Sequence, residues 1–233
     1  MQGCFVTGTD TEVGKTRVAA ALVHLLGADG QRSAGFKPVA AGLDDHGNED
    51  VRLLRAAANI ATTDAEVGPC QLRTACAPQH AAAIDGVSID RSALRQAALA
   101  LGARCDRLVV EGVGGFCVPL GDTWDSADLA CDLALPVLLV VGLRLGCINH
   151  ALLTAQAVQA RGLRLAGWIG NTVGPGMLRP QDTIATLQAW LHRRHGAPCL
   201  GLVPWLADPT PAAVASHLDA AAVRRALCLK GLP

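Results

Sequence analysis

The sequence predicts an α/β protein with a doubly wound, mostly parallel sheet flanked by helices. Three observations carry this. Cys4-Phe5-Val6-Thr7 is a short apolar run that enters a glycine-bounded loop, Gly8-Thr9-Asp10-Thr11-Glu12-Val13-Gly14-Lys15-Thr16, and the Ala-rich stretch Arg17 to Leu26 follows it as a helix ended by Gly27. Pro136-Val137-Leu138-Leu139-Val140-Val141-Gly142 is continuously apolar, the pattern of a central strand buried on both faces. Candidate strands and helices then alternate along the chain, which calls for right-handed crossovers.

Strand, loop ending in Gly-Lys-Thr, and helix together make a phosphate-binding loop, and the fold is of the phosphate-loop NTPase type. Loop amides and the helix N-terminus favour anionic oxygens. Gly14 lets the backbone approach, Lys15 reaches the outer phosphates, and the Thr16 hydroxyl is a ligand for Mg²⁺. The usual spacing puts four residues between the glycines; here Thr9 to Val13 makes five. The competing reading is a helix-capping turn in an ordinary α/β protein.

Composition sets limits. The 233 residues suffice for a full core, and with no internal repeat or low-complexity linker they read as one domain, 1–233. A formal net charge of zero provides no basic field for nucleic acid. The longest apolar stretch, Leu133 to Leu143, is too short to span a bilayer and contains Pro136. Without a leader pattern at the start, the expected location is cytoplasmic. The 9 cysteines are odd in number and contain no C-x-x-C pair, which favours a reducing compartment over a disulfide framework. Lys15, Lys37 and Lys230 are the only lysines although Lys and Arg total 20. A retained lysine in an arginine-rich chain points to a site needing a compact ammonium. Lys230, near the C-terminus, reads as a solvated charge.

In order, Ser33 to Val39 is the second strand, ended near Lys37 by Pro38. In an open parallel sheet ligands lie beyond the carboxyl ends of strands, so Lys37 is placed to meet a phosphate. Gly42 to Asp50 is an acidic loop, with a helix beginning near Asp50. Asp50 is either that helix's N-cap or a Mg²⁺ ligand, and the pattern leaves both open. Residues 60–90 read as loop and irregular structure, with His80 a structural histidine. Arg91 to Leu101 is helical. Arg107-Leu108-Val109-Val110-Glu111 is an apolar strand delivering one carboxylate into Gly112-Val113-Gly114-Gly115, where a Mg²⁺-directed acid belongs. A helix runs to Ala160, Leu165 to Asn171 is a strand, Thr183 to Arg194 a helix, and Cys199 to Val203 the last strand, before Pro204-Trp205-Leu206. Ala220 to Leu227 is a plain Ala-rich helix.

Several stretches together resemble the ATP-dependent dethiobiotin synthetases of biotin biosynthesis. They are Phe5 to Thr16, Gly35 to Ala40, Val110 to Gly115, Pro119-Leu120, Leu145-Gly146-Cys147-Ile148-Asn149-His150, Ala166 to Ile169, and Pro204-Trp205-Leu206. The longer phosphate loop and the Gly-Cys-Ile-Asn-His stretch are the specific ones. The resemblance implies that 7,8-diaminononanoate, CO₂ (or bicarbonate) and ATP are converted to dethiobiotin, ADP and phosphate. It implies Mg²⁺ held by Thr16, Asp50 and Glu111, with Lys15 and Lys37 catalytic. ATP would meet Glu12, Val13, Gly14, Lys15, Thr16 and Arg17, then Asp50, Glu111, Gly112, Val113 and Gly114. The base would lie against Asn171, Thr172, Pro204, Trp205 and Leu206, with the Asn171 amide reading adenine. The diamine would meet Thr11, Lys37 and Ala41. Its carboxylate would lie at Gly146, Cys147, Ile148 and Asn149 of a partner subunit in a homodimer. Ala41, Arg144 and Thr172 depart from the family pattern, where serine, lysine and aspartate are common.

The competitor from another class is a partner-binding switch ATPase of the same superfamily, acting on membranes or DNA. Such proteins carry a second lysine early in the loop, where this chain has Thr9-Asp10-Thr11.

Overall fold

A computed structural model describes residues 1–28, 30–174 and 176–227; Lys230 lies outside them. In chain order the elements are β1 (Gly3–Gly8), α1 (Lys15–Gly27), β2 (Ser33–Phe36), β3 (Val39–Ala41), α2 (Glu49–Ala57), α3 (Asp64–Val67), β4 (Cys70–Leu72), α4 (Pro78–Asp85) and α5 (Arg91–Gly102). The second half runs β5 (Arg107–Glu111), α6 (Ser126–Leu133), β6 (Val137–Leu143), α7 (Cys147–Ala160), β7 (Leu165–Thr172), α8 (Pro180–His195), β8 (Cys199–Val203), α9 (Pro211–Ala215) and α10 (Ala220–Ala226).

Among the described residues, one parallel sheet has the order β2-β5-β1-β6-β7-β8. The continuous apolar run of β6 is explained by its surroundings. Val137, Leu139 and Val141 face one core layer with Ala151, Ala155 and Val158 of α7, while Leu138 and Val140 face the other layer with Val18, Leu22 and Leu25 of α1. Side chains alternate along a strand, so a strand covered on both faces has no polar positions to spare. No helix among the described residues is long and apolar enough to cross a membrane.

The strand order places the chemistry. After β1 the chain crosses outward to β2, returns through β5 beside β1, and continues with β6 on the far side. Such a reversal opens a crevice at the carboxyl ends of the strands. Gly8 ends β1, Glu111 ends β5, and Lys37 follows the last residue of β2. Because β2, β5 and β1 are neighbours, these three positions share one edge.

One expectation is corrected here, and one open alternative is decided. Residues 60–90 are ordered, with α3, β4, α4 and a small parallel sheet pairing β3 with β4, Val39 opposite Cys70. Three-residue strands are too short to show a period. Pro78 opens α4 at a first-turn position, where its missing N–H costs nothing, so here proline marks a helix start. Asp50 is not an N-cap. The helix starts at Glu49 and its cap is Asn48, whose side chain accepts the Val51 N–H at 3.2 Å. The Asp50 carboxylate is thereby left for other partners.

Candidate active site

The loop after β1 turns into α1 through two left-handed residues, Glu12 at φ 57° and Gly14 at φ 86°. Gly14 is required twice over. Its φ is costly for a residue with a Cβ, and a Cβ there would lie 2.2 Å from Asn171 Nδ2. The first amides of α1 have no intrahelical partner and are free for an anion. Lys15 is 6% exposed and its Nζ donates to the Asp10 carbonyl at 2.8 Å. Burial brings its pKa down to about 8, against the pull of Glu111.

Beneath the loop four side chains from separate elements converge. Thr16 Oγ1 lies 2.7 Å from Asp50 Oδ1 and 2.9 Å from Glu111 Oε1. Lys37 Nζ lies 2.6 Å from Glu111 Oε1, 2.8 Å from Asp50 Oδ2 and 3.5 Å from the Gly112 carbonyl. Three ammonium protons therefore find three acceptors. Burial works against the Lys37 charge, but Glu111 and Asp50 outweigh it and hold its pKa above the ordinary lysine value. For Asp50 burial pushes upward, and the Lys37 ammonium overrides it and holds the carboxyl low. Glu111 is fully buried, and burial raises its pKa.

The arrangement suits a hard divalent cation. A hydroxyl has one proton, yet Thr16 faces two carboxylate oxygens. Glu111 Oε2 is buried with no hydrogen-bond partner. Two carboxylates and a hydroxyl are fewer ligands than a complete protein cage. That suits an ion that keeps waters and takes nucleotide oxygens.

These groups line a cleft of about 980 Å³. Of the residues expected from sequence it gathers Thr11, Glu12, Gly14, Lys15, Thr16, Arg17, Lys37, Ala41, Asp50, Glu111, Val113 and Gly114. A second cavity of about 180 Å³ shares Glu12, Gly14 and Arg17 with the first, and adds Asn171, Thr172, Pro204, Trp205 and Leu206. Asn171 Nδ2 donates to the Val13 carbonyl at 3.0 Å, which leaves its Oδ1 as an acceptor. Val13 itself is buried, its side chain against Gly142. Gly112 contributes its carbonyl to Lys37.

Gly146, Cys147, Ile148 and Asn149 line neither cavity. They form the start of α7, with Gly146 at φ 93° and open space where a Cβ would point. Cys147 is buried, and its neighbour Leu145 is 97% exposed.

The cleft also contains residues that sequence reasoning missed. Glu49 and Leu53 lie on the Asp50 side of α2. Their four-residue spacing on one helix face was a usable signal. Ala75, Cys76, Ala77 and Pro78 form a wall from the supposedly irregular region, where no local pattern marked them.

The family described as an AAA domain matches residues 2–213. The chain is 51% identical over 218 residues, 92% of its length and 95% of the relative's, to the ATP-dependent dethiobiotin synthetase BioD of Aromatoleum aromaticum. It is 50% identical over 224 residues to the protein of that name from a Janthinobacterium species, covering 93% of both chains. With the Ralstonia nicotianae one it shares 51% over 222 residues, 94% of this chain and 95% of the other. Among solved structures, the MinC:MinD cell division protein complex of Aquifex aeolicus superposes with a TM-score of 0.57 at 16% identity, over 100% of this chain and 98% of that one. The cell division ATPase MinD of Pyrococcus furiosus gives 0.52 at 18%, over 94% and 90%. At such identities the likeness is one of fold alone.

Proposed function

The chain belongs to the ATP-dependent dethiobiotin synthetases, and from that premise we propose how its residues divide the work. The activity is an ATP-dependent ring closure in biotin biosynthesis, converting 7,8-diaminononanoate, CO₂ and ATP to dethiobiotin, ADP and phosphate. One amine takes up CO₂ as a carbamate. A carbamate oxygen attacks the γ-phosphorus and expels ADP, giving a carbamic–phosphoric anhydride. The second amine attacks the anhydride carbonyl, loses its proton and releases phosphate, which closes the cyclic urea.

The observation that carries the assignment of residues is the convergence of Thr16, Lys37, Asp50 and Glu111 beside Lys15. Phosphoryl transfer asks for positioning and charge compensation more than for covalent help. Lys15, now on the Asp10 carbonyl, is placed to turn to the β- and γ-phosphates. Lys37 sits where charge builds between carbamate and γ-phosphate. A bound Mg²⁺ would be held by Thr16, Asp50 and Glu111 and would offset charge on the phosphate oxygens. Adenine is a donor at its amino group, which suits the remaining Oδ1 of Asn171, with Pro204, Trp205 and Leu206 beside the ring. Thr11 and Ala41 line the diamine end, in the same cleft as the Ala75–Pro78 wall.

The enzyme works, on this proposal, as one domain per chain and as a cytoplasmic homodimer. The exposure of Leu145 and of Leu153, 56% exposed, supports a partner covering the start of α7. The partner's Gly146 to Asn149 amides would receive the substrate carboxylate. A switch ATPase is not favoured at about half identity to synthetases over more than nine-tenths of the chain. The test is ADP release with and without the diamine and bicarbonate. Release that requires both supports the proposal, and release indifferent to them overturns it.

A further inference from the structure

The N-terminal half of the phosphate loop is held by the end of β6. Thr9 N donates to the Val140 carbonyl at 3.0 Å, and Gly142 N donates to Thr9 Oγ1 at 3.3 Å. A Cβ at Gly142 would lie 2.8 Å from Val13 Cγ1, so strand and loop are in close contact. Two residues on, the Arg144 guanidinium pairs with Asp10 Oδ2. Positions 140, 142 and 144 thus hold loop residues 9, 13 and 10.

Asp10 is engaged at three atoms. Its Oδ2 takes Arg144, its Oδ1 accepts the Thr11 N–H at 2.8 Å, and its carbonyl accepts the Lys15 ammonium at 2.8 Å. The side-chain contacts fix the peptide that holds the lysine. We propose that Arg144 is a positioning residue for phosphoryl transfer, setting through Asp10 the place from which Lys15 engages the nucleotide. Nothing in the composition or spacing of the loop assigned Asp10 or Arg144 such a role.

The magnitudes separate this from a structural role. Both side chains are about half exposed, 49% and 46%. An ion pair at that exposure contributes little to stability. Misplacing a reacting group by about 1 Å, by contrast, can cost up to about 100-fold in rate. Removing Arg144 should therefore change kinetics and leave the melting temperature alone.

The inference rests on reading Lys15 as the phosphate-binding lysine, so Lys15→Gln is the control for that reading. If Lys15→Gln keeps its turnover, that reading fails first. Given a dead Lys15→Gln, Arg144→Ala should lower kcat about tenfold, with KM for ATP changing less and the melting temperature within about 1 °C. Arg144→Lys should restore most of the rate. Asp10→Asn keeps the acceptor for Thr11 but drops the charge; it should match Arg144→Ala, and the double variant should be no worse than either. An Arg144→Ala rate within twofold of the parent, losses that multiply in the double variant, or a loss that follows a fall in melting temperature would each overturn the proposal.

Discussion

The Lys37 ammonium lies 2.6 Å from Glu111 Oε1, and the two side chains are 4% and 0% exposed. A lysine buried this deeply is held charged by its carboxylates. Replacing it by Gln leaves Glu111 and Asp50 without their cation. Breaking a buried pair by removing one partner costs about 3–5 kcal/mol. Lys37→Gln should accordingly melt several degrees lower. It should still bind ATP within a few-fold but lose about 100-fold or more in kcat, because the charge is needed most in the transition state. Direct ATP binding and steady-state turnover check this. A kcat within twofold of the parent would remove Lys37 from the mechanism.

Glu111→Gln and Asp50→Asn should each raise the Mg²⁺ concentration for half-maximal activity by about tenfold or more, since an amide oxygen is a poorer ligand than a carboxylate. Both should keep the fold, Glu111→Gln at a lower melting temperature because it breaks the same buried pair with Lys37. A Mg²⁺ titration unchanged in both variants would dissociate them from the metal.

Lys15, with its pKa brought to about 8 by burial, should make nucleotide binding depend on pH where an ordinary lysine would not. Only the ammonium form offsets phosphate charge, so affinity for ATP should fall as pH rises through about 8. Binding near pH 8 should take up protons, because the bound phosphates favour the charged form. Calorimetry in buffers of different ionisation enthalpy measures the uptake, which Lys15→Gln should abolish. The linkage to folding has the matching sign. Between about 8 and the ordinary lysine value the unfolded chain holds more of this proton than the native one, so Lys15 makes the apo protein more stable as pH rises through that window. An ATP affinity flat from pH 7 to about 9.5 would contradict the assignment.

Gly146 separates the two ends of the proposed substrate. Its φ of 93° makes a β-branched replacement strained on its own account, whereas Asn tolerates that backbone. Gly146→Asn fills the open space without unfolding the helix start. We expect a large rise in KM for the diamine, little change for ATP, and a dimer still seen by sedimentation. Full activity as a monomer, or lost ATP affinity with diamine binding intact, would refute the placement of the substrate carboxylate.

What could be read from the sequence was local. The loop from Gly8 to Thr16, the strand ending at Glu111 and the buried run from Val137 each declare themselves within about ten residues, because periodicity and turn chemistry act over that range. Lys37 was found from its rarity and the proline after it, and Glu111 from a carboxylate closing an apolar strand. Asp50 stayed ambiguous because an acidic residue near a helix start suits a cap and a metal equally. The folded chain removes the cap role, through Asn48 taking it. The contacts that define the site span 34 residues from Thr16 to Asp50, 74 from Lys37 to Glu111 and 95 from Thr16 to Glu111. No local pattern encodes such separations. They follow from β5 inserting between β2 and β1, a choice made by packing both faces of the sheet. The Ala75–Pro78 wall and the Asp10–Arg144 pair were decided in the same way: small or exposed side chains carry no signal of their own, and only the tertiary structure brings them to the cleft edge.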